Sequence, residues 1–257
     1  MNTAISKLFD LSGRVALVTG GSKGLGKAMA RGLAQAGADI FISSRNEGEL
    51  KNAREEILDD TSRRGGYLVA DMTKRDEVRL LARTALEKMG RVDILINNAG
   101  VNIPQSIEGV TDDAWDQVLE TNLTSVMALT RALVPQMRSR KWGRIIHISS
   151  VMAFVSKEKR NAYSATKAAL IGLTHASSLE LGQEGVTVNC IAPGPFLTDM
   201  PGKILSTEEK ADFARSTALN RWADPTELVG PALMLASDAG SYITGQVLVV
   251  DGGYLVR

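Results

Sequence analysis

A chain of 257 residues with a single cysteine, Cys190, has no internal disulfide to make. Histidine is almost as scarce. His147 and His175 are the two present, and they stand too far apart in sequence to form a local metal motif. Net charge is nearly absent too: thirty basic residues face twenty-nine acidic ones, a formal +1, which leaves no long-range field to recruit nucleic acid or an anionic membrane. No apolar run approaches the roughly 18 residues of a membrane span, and residues 1–10 show neither a basic start with an apolar core nor a small-residue cleavage site. These absences set aside disulfide scaffolds, local metal sites and nucleic-acid or membrane partners, and they predict a soluble protein of the reducing cytoplasm. With no internal repeat and no low-complexity linker, residues 1–257 are expected to form one domain.

What is present is apolar and periodic. Hydrophobic residues make up 44% of the chain and charged ones 23%, proportions that allow a core large enough to offset chain entropy. Short runs rich in Val and Ile recur at 14–19, 39–44, 67–70, 92–97, 144–149, 186–191 and 246–250, and they read as seven buried strands. Longer amphipathic stretches at 25–37, 47–63, 74–89, 112–139 and 162–182 read as helices. Strands alternating with helices predict an α/β fold: a single doubly wound, Rossmann-type domain whose seven-stranded parallel sheet is flanked by helices on both faces. The least regular long connection, 194–220, is a candidate substrate lid, because ligands of such folds sit beyond the carboxyl ends of the strands.

After the first run comes Thr19-Gly20-Gly21-Ser22-Lys23-Gly24-Leu25-Gly26, a strand exit leading through glycines into a helix. Glycine permits a tight turn and a close approach to a pyrophosphate, and the helix start adds N–H donors and partial positive charge. A dinucleotide cradle fits this loop, although an ordinary glycine turn shares its composition. Where a carboxylate would hydrogen-bond the ribose hydroxyls of NAD, at the end of the second run, the residues are Ser43-Ser44-Arg45-Asn46. A hydroxyl and a guanidinium, with Lys23 in reach, favour the 2′-phosphate of NADP(H) over NAD(H); two solvated surface cations are the alternative.

Tyr163 and Lys167, four residues apart, share one helix face, and Ser150 just after the fifth strand would reach the carboxyl edge of the sheet. An ammonium beside a phenol biases it toward phenolate, from an ordinary pKa of about 10 toward a range useful for proton transfer. The pair alone also arises by chance on helices. Buried packing accounts for His147 and Cys190, and a structural role for His175. The basic run Arg138-Ser139-Arg140-Lys141 reads as a solvated helix end.

Together these residues resemble the short-chain dehydrogenase/reductase superfamily from about residue 11 to the C-terminus. The family's glycine pattern matches Gly20, Gly24 and Gly26, its adenine-contacting acid Asp71, and its Asn-Asn-Ala-Gly motif Asn97-Asn98-Ala99-Gly100. The resemblance implies a catalytic tetrad of Asn122, Ser150, Tyr163 and Lys167. It also implies cofactor contacts from Gly20, Ser22, Lys23, Gly24, Leu25, Gly26, Ser44, Arg45, Asn46, Asp71, Met72, Asn98, Ala99, Gly100, Tyr163, Lys167, Pro193, Gly194, Phe196 and Thr198, with no metal. In that scheme Tyr163 moves the substrate proton and Ser150 orients the carbonyl. Lys167 binds the nicotinamide ribose and lowers the Tyr163 pKa, Asn122 holds a water that links Lys167 to solvent, and hydride passes on the B face.

Within the superfamily the segments Phe9-Asp10-Leu11-Ser12-Gly13, Arg221-Trp222-Ala223-Asp224-Pro225-Thr226-Glu227-Leu228 and Val250-Asp251-Gly252-Gly253-Tyr254-Leu255 are most similar to gluconate 5-dehydrogenase-like and 3-oxoacyl-carrier-protein reductase-like members. The first group implies a keto-sugar acid or polyol as the small-molecule substrate, the second a β-ketoacyl substrate, and a non-catalytic NADP(H) sensor is the alternative of another class. Two departures bear on the choice. Val101-Asn102-Ile103-Pro104-Gln105 stands where gluconate enzymes tend to carry paired arginines, and Glu184 where carrier reductases often have a basic residue. Lys157, Lys159 and Arg160, between Ser150 and Tyr163, are basic residues that an anionic substrate group can meet instead, with a solvated loop tip as the alternative. The resemblance implies a homotetramer or homodimer paired through the two long helices, 112–139 and 162–182, with Val126, Leu129, Leu133, Leu170, Leu173 and Leu179 offering apolar positions.

Overall fold

The Val- and Ile-rich runs become seven parallel strands in the computed structural model, which describes residues 4–198 and 206–257. They are β1 (Val15–Thr19), β2 (Asp39–Ser44), β3 (Gly65–Val69), β4 (Ile94–Asn97), β5 (Gly143–Ile148), β6 (Val186–Pro193) and β7 (Val247–Val250). Their order is β3-β2-β1-β4-β5-β6-β7. The chain first adds β2 and β3 on one side of β1, then returns to place β4 on the other, so Ala16 lies opposite both Ile40 and Ile94. This is the expected doubly wound sheet, with one correction. Strands β3 and β7 are not fully buried, because each is an edge covered by one neighbouring strand instead of two.

Alternating side chains feed two cores, as a period of two demands. On one face Ala16, Val18, Ile40, Ile42, Ile94 and Ile146 pack with Met29 and Leu33 of α2 (Gly24–Gln35), Leu50 and Ile57 of α3 (Glu47–Leu58), and Leu235 of the helix Val229–Ala236. On the other face Val15, Leu17, Phe41, Leu95 and Ile145 pack with Val78 and Leu81 of α4 (Arg75–Met89) and with Leu129 and Leu133 of the helix Ser125–Ser139. A short helix, α1 (Ala4–Leu8), precedes β1.

The stretch 112–139 is not one helix. It divides into α5 (Asp112–Leu119) and α6 (Ser125–Ser139) around a π turn, Glu120–Thr124. A π turn inserts an extra residue without breaking the helix, and here the inserted turn carries Asn122, whose side chain bonds the backbone of Val101 and the hydroxyl of Thr166. Next comes α7 (Asn161–Leu181), which carries Tyr163 and Lys167. The expected irregular lid at 194–220 contains α8 (Thr207–Arg215), opened by a capping box between Ser206 and Glu209; positions 199–205 of that expectation lie outside the described residues. The last helix is α9 (Val229–Ala236).

The apolar positions assigned to a partner face need correcting. Val126, Leu129, Leu133 and Leu170 are buried within the chain, because α6 and α7 turn those residues toward the sheet. The outward face of α7 carries Ala165, Ala168, Ala169, Gly172 and Leu179, and Met127 and Trp115 are exposed on α6 and α5. Leu179 alone of the six expected residues is largely exposed, and Leu173 is intermediate. The basic run is corrected as well: Arg138 pairs with Glu180, and Arg140 pairs with Asp93, which is fully buried. Among the described residues no helix is long and apolar enough to cross a membrane.

Candidate active site

The carboxyl ends of β1 and β4, where the strand order reverses, open onto a cavity of about 830 Å³. Of the residues singled out from the sequence, all except Gly26 and Asn122 line it. Both exceptions stand behind the wall. A second depression of about 660 Å³ follows edge strand β3 and contains none of them.

The glycine loop forms the floor at one end. Gly20 leaves β1 with φ +63, and a Cβ at Gly26 would lie 2.2 Å from the Gly20 carbonyl oxygen and 2.5 Å from Asn98 Nδ2. The helix can therefore start only against a bare backbone. Lys23 is the N-cap of α2 and gives it no side-chain hydrogen bond, and Gly24 and Leu25 bring the start of that helix to the cavity wall, where its N–H donors suit a pyrophosphate. Thr19 Oγ1 accepts from the N–H groups of both Asn98 and Ala99, at 3.0 Å each, which ties the loop after β4 to the end of β1.

Beside the ends of β2 and β3 the cavity gathers Ser43, Ser44, Arg45, Asn46, Asp71 and Met72. The Ser43 hydroxyl is buried with no hydrogen-bond partner, an orphaned group of the kind a bound ligand satisfies. Burial works against the charge of Asp71, but hydrogen bonds from Thr73 and the positive charges of Arg45 and Lys74 together hold its carboxyl below the usual range. Asn46 spends its side chain on capping α3, accepting from the Glu49 N–H at 2.9 Å. Sequence reasoning missed Glu49 itself. Its carboxylate lines the cavity and accepts from Lys23 Nζ at 2.9 Å and from Ser22 Oγ at 3.3 Å. The signal was available: Glu49 is in the first turn of the helix that leaves β2, and such a residue points back toward the loop after β1.

At the opposite end Ser150, Tyr163 and Lys167 converge. Ser150 Oγ accepts from the Met152 N–H at 3.1 Å, and its hydroxyl also hydrogen-bonds Tyr163. Lys167 runs beneath the tyrosine, Nζ lying 5.6 Å from the ring centroid, and donates to the Ile148 carbonyl oxygen at 2.6 Å. Burial pulls the Lys167 ammonium down to about 8. The expectation of a lowered Tyr163 is reversed in the protein alone: burial pushes the phenol above 10, and the Ser150 hydrogen bond and the Arg160 charge only partly oppose it. Gly100 lies against the same groups, since a Cβ there would be in ordinary contact, 3.4 Å from Asn122 Oδ1 and 3.5 Å from Lys167 Nζ. The Asn122 side chain exchanges two hydrogen bonds with the Val101 backbone, at 2.8 and 2.9 Å, and donates to Thr166 Oγ1 at 3.2 Å. It clamps the loop after β4.

Behind the site His147 is fully buried beside Asn97, with its pKa driven down to about 4 by burial, and burial pushes the Cys190 thiol up to about 11. His175 is exposed on α7, a correction to its structural reading. Among the described residues no cluster of three or more His, Cys, Asp or Glu could hold a metal.

A dinucleotide-shaped groove ending in a buried Tyr–Lys pair on a doubly wound sheet belongs to an oxidoreductase acting on CH–OH and C=O groups. The chain is a member of the short chain dehydrogenase family, whose model matches residues 14–209. It is 38% identical to gluconate 5-dehydrogenase of Gluconobacter oxydans over 97% of each chain. To 3-oxoacyl-acyl-carrier-protein reductase of Chlamydia muridarum it is 37% identical, over 95% of this chain and 98% of the relative. The crystal structure of a gluconate 5-dehydrogenase from Burkholderia cenocepacia with NADP and tartrate superposes with a TM-score of 0.92 at 32% identity, covering 98% of this chain and 99% of that one.

Gly26→Ala tests the cradle directly. Overpacking of this kind costs about 1–3 kcal/mol, so the variant should bind NADPH roughly ten- to a hundredfold more weakly in a fluorescence titration. Wild-type affinity would contradict the close packing of loop and helix.

Proposed function

We propose that the protein is an NADP(H)-dependent dehydrogenase/reductase whose substrate is a keto-sugar acid or the corresponding polyol, with Tyr163 as general acid and base. The observation that carries the chemistry is the convergence of Ser150, Tyr163 and Lys167 at one end of the cavity. The cofactor choice is supported by Ser44 and Arg45 where a carboxylate would serve NAD, and by the NADP in the Burkholderia structure.

When bound, the nicotinamide supplies or accepts the hydride. Ser150 donates a hydrogen bond to the substrate oxygen and holds it against Tyr163. During reduction Tyr163 delivers its proton to the developing alkoxide, and during oxidation it takes the proton from the alcohol. Lys167 stabilises the phenolate and holds the nicotinamide ribose. A water held at Asn122 links it to solvent, while the Asn122 side chain fixes Val101 at the cavity wall.

Two groups support a polar, anionic substrate. Asn102 lines the cavity with a buried Oδ1 that has no partner among the described residues, and a substrate hydroxyl would supply one, recovering about 1–3 kcal/mol of desolvation. Arg160 sits one helical turn before Tyr163, where its charge acts on the phenol and is itself met by that of Glu209, with no hydrogen bond from its guanidinium to a described residue. A carboxylate is its natural complement. Lys157 is by contrast paired with Glu209, and Lys159 is exposed. The similarity to a carrier-protein reductase favours a β-ketoacyl substrate as the second reading. A cytoplasmic setting accords with the buried free thiol of Cys190, and cell fractionation checks it.

With NADPH and a panel of keto-sugar acids, polyols under NADP+ and β-ketoesters, turnover should be highest on the sugar acids. Tyr163→Phe should keep cofactor affinity and lose about 10² to 10⁴ in kcat. Lys167→Met should lose both together. Retention of more than about a tenth of kcat in Tyr163→Phe would remove Tyr163 as the acid, and turnover confined to β-ketoesters would overturn the substrate.

The assembly proposed is a homodimer or homotetramer that buries the outward stripe of α7. Light scattering should report one of the two, and Ala169→Glu, which sets a charge in the stripe, should give a smaller species. A monomer in the wild type contradicts the proposal.

A further inference from the structure

The end of the cavity assigned to the 2′-phosphate is already held by an anion from the chain itself. Lys23 Nζ lies 2.9 Å from Glu49 Oε1, and Ser22 Oγ donates to Glu49 Oε2 at 3.3 Å. Ser22, Lys23, Ser44, Arg45 and Glu49 all line this end of the cavity. Among the described residues the cations facing the site are Lys23 and Arg45, with Lys74 further along beside Asp71, and the anions are Glu49 and Asp71. Asp71 is committed to Thr73 through two hydrogen bonds, at 3.0 and 2.9 Å. Glu49 is therefore the anion that competes for the same donors as a phosphate.

We propose that Glu49 is a resident stand-in for the 2′-phosphate, and that NADP(H) binds by taking Lys23 and Ser22 from it, so that Glu49 sets how far the protein discriminates NADP(H) from NAD(H). The proposal rests on the NADP(H) reading above. The exchange is one ion pair for another, with no bond made or broken. The carboxylate is 41% exposed and sits on the first turn of α3, so a rotamer change moves it into water while its backbone N–H stays on Asn46. A cofactor without the 2′-phosphate leaves the Lys23–Glu49 pair intact and meets no such exchange. Glu49 consequently penalises NADP(H) and spares NAD(H), and it holds the lysine preformed at the site in the cofactor-free protein.

The test measures dissociation constants, independently of activity, for NADPH, NADH, 2′,5′-ADP and 5′-ADP with wild type, Glu49→Gln and Glu49→Asp. Glu49→Gln should tighten NADPH and 2′,5′-ADP by about three- to tenfold, the scale of one exposed charge pair, and change NADH and 5′-ADP by less than about twofold. Glu49→Asp keeps the charge at the helix start but draws it back from Lys23, and should shift affinity in the same direction by less. Unchanged or weaker NADPH binding in Glu49→Gln, or equal tightening of all four ligands, overturns the assignment. Wild type that binds 2′,5′-ADP no better than 5′-ADP would instead overturn the NADP(H) reading itself, which keeps the two failures apart.

Discussion

Lys167 carries its ammonium into the interior, 4% exposed, with the Ile148 carbonyl oxygen as its hydrogen-bond partner among the described residues. Desolvating an ammonium costs several kcal/mol unless it is compensated, and much of the local architecture supplies that compensation. The carbonyl comes from the last residue of β5, where the strand has ended and no longer needs it for pairing. The Ser149 hydroxyl bonds the Lys167 main-chain oxygen at 2.7 Å and fixes α7 to the same strand end. Asn122 holds the adjoining loop in place through the Val101 backbone. Together these contacts hold the side chain on which the proposed chemistry depends.

The same burial explains why Tyr163 and Lys167 sit in an unsettled electrostatic state in the protein alone. Burial moves their pKa values in opposite directions, the phenol up and the ammonium down, each toward its neutral form. A positive charge on the proposed cofactor side of the cavity would favour the phenolate, so in the proposed mechanism oxidised cofactor prepares the tyrosine to accept a proton. At the far end of the cavity the sign of the problem is reversed. There a cation at the glycine loop is held by a carboxylate of the chain, the pair that the 2′-phosphate is proposed to exchange. On the proposed reading both ends await a charge that the cofactor brings.

Much of this was legible in the sequence. The glycine loop, the Tyr163–Lys167 spacing and the alternation of Val-rich runs with amphipathic stretches each follow from local rules, and they fixed the sheet and most of the cavity lining. Other features depend on tertiary placement. The π turn at Glu120–Thr124 contains neither glycine nor proline, so a continuous helix over 112–139 satisfied every local rule. Helix α7 is apolar on its buried and its outward face, and periodicity alone cannot say which leucines meet the sheet. Arg140 looked solvated until the fold brought it to Asp93, forty-seven residues earlier in the chain. Glu49 carries no motif, and its role is visible only when the helix after β2 is set beside the loop after β1.

The claim on which the account rests most heavily is that bound oxidised cofactor offsets the burial that raises the Tyr163 pKa. Phenolate absorbance followed against pH, with the Tyr163→Phe signal subtracted to remove Tyr67, Tyr242 and Tyr254, reads that pKa directly. It should lie above about 10 in the free protein and fall by at least roughly one unit, about 1.4 kcal/mol, when NADP+ is bound, and Lys167→Met should reduce the fall. A Tyr163 pKa that stays put or rises on NADP+ binding would contradict the account.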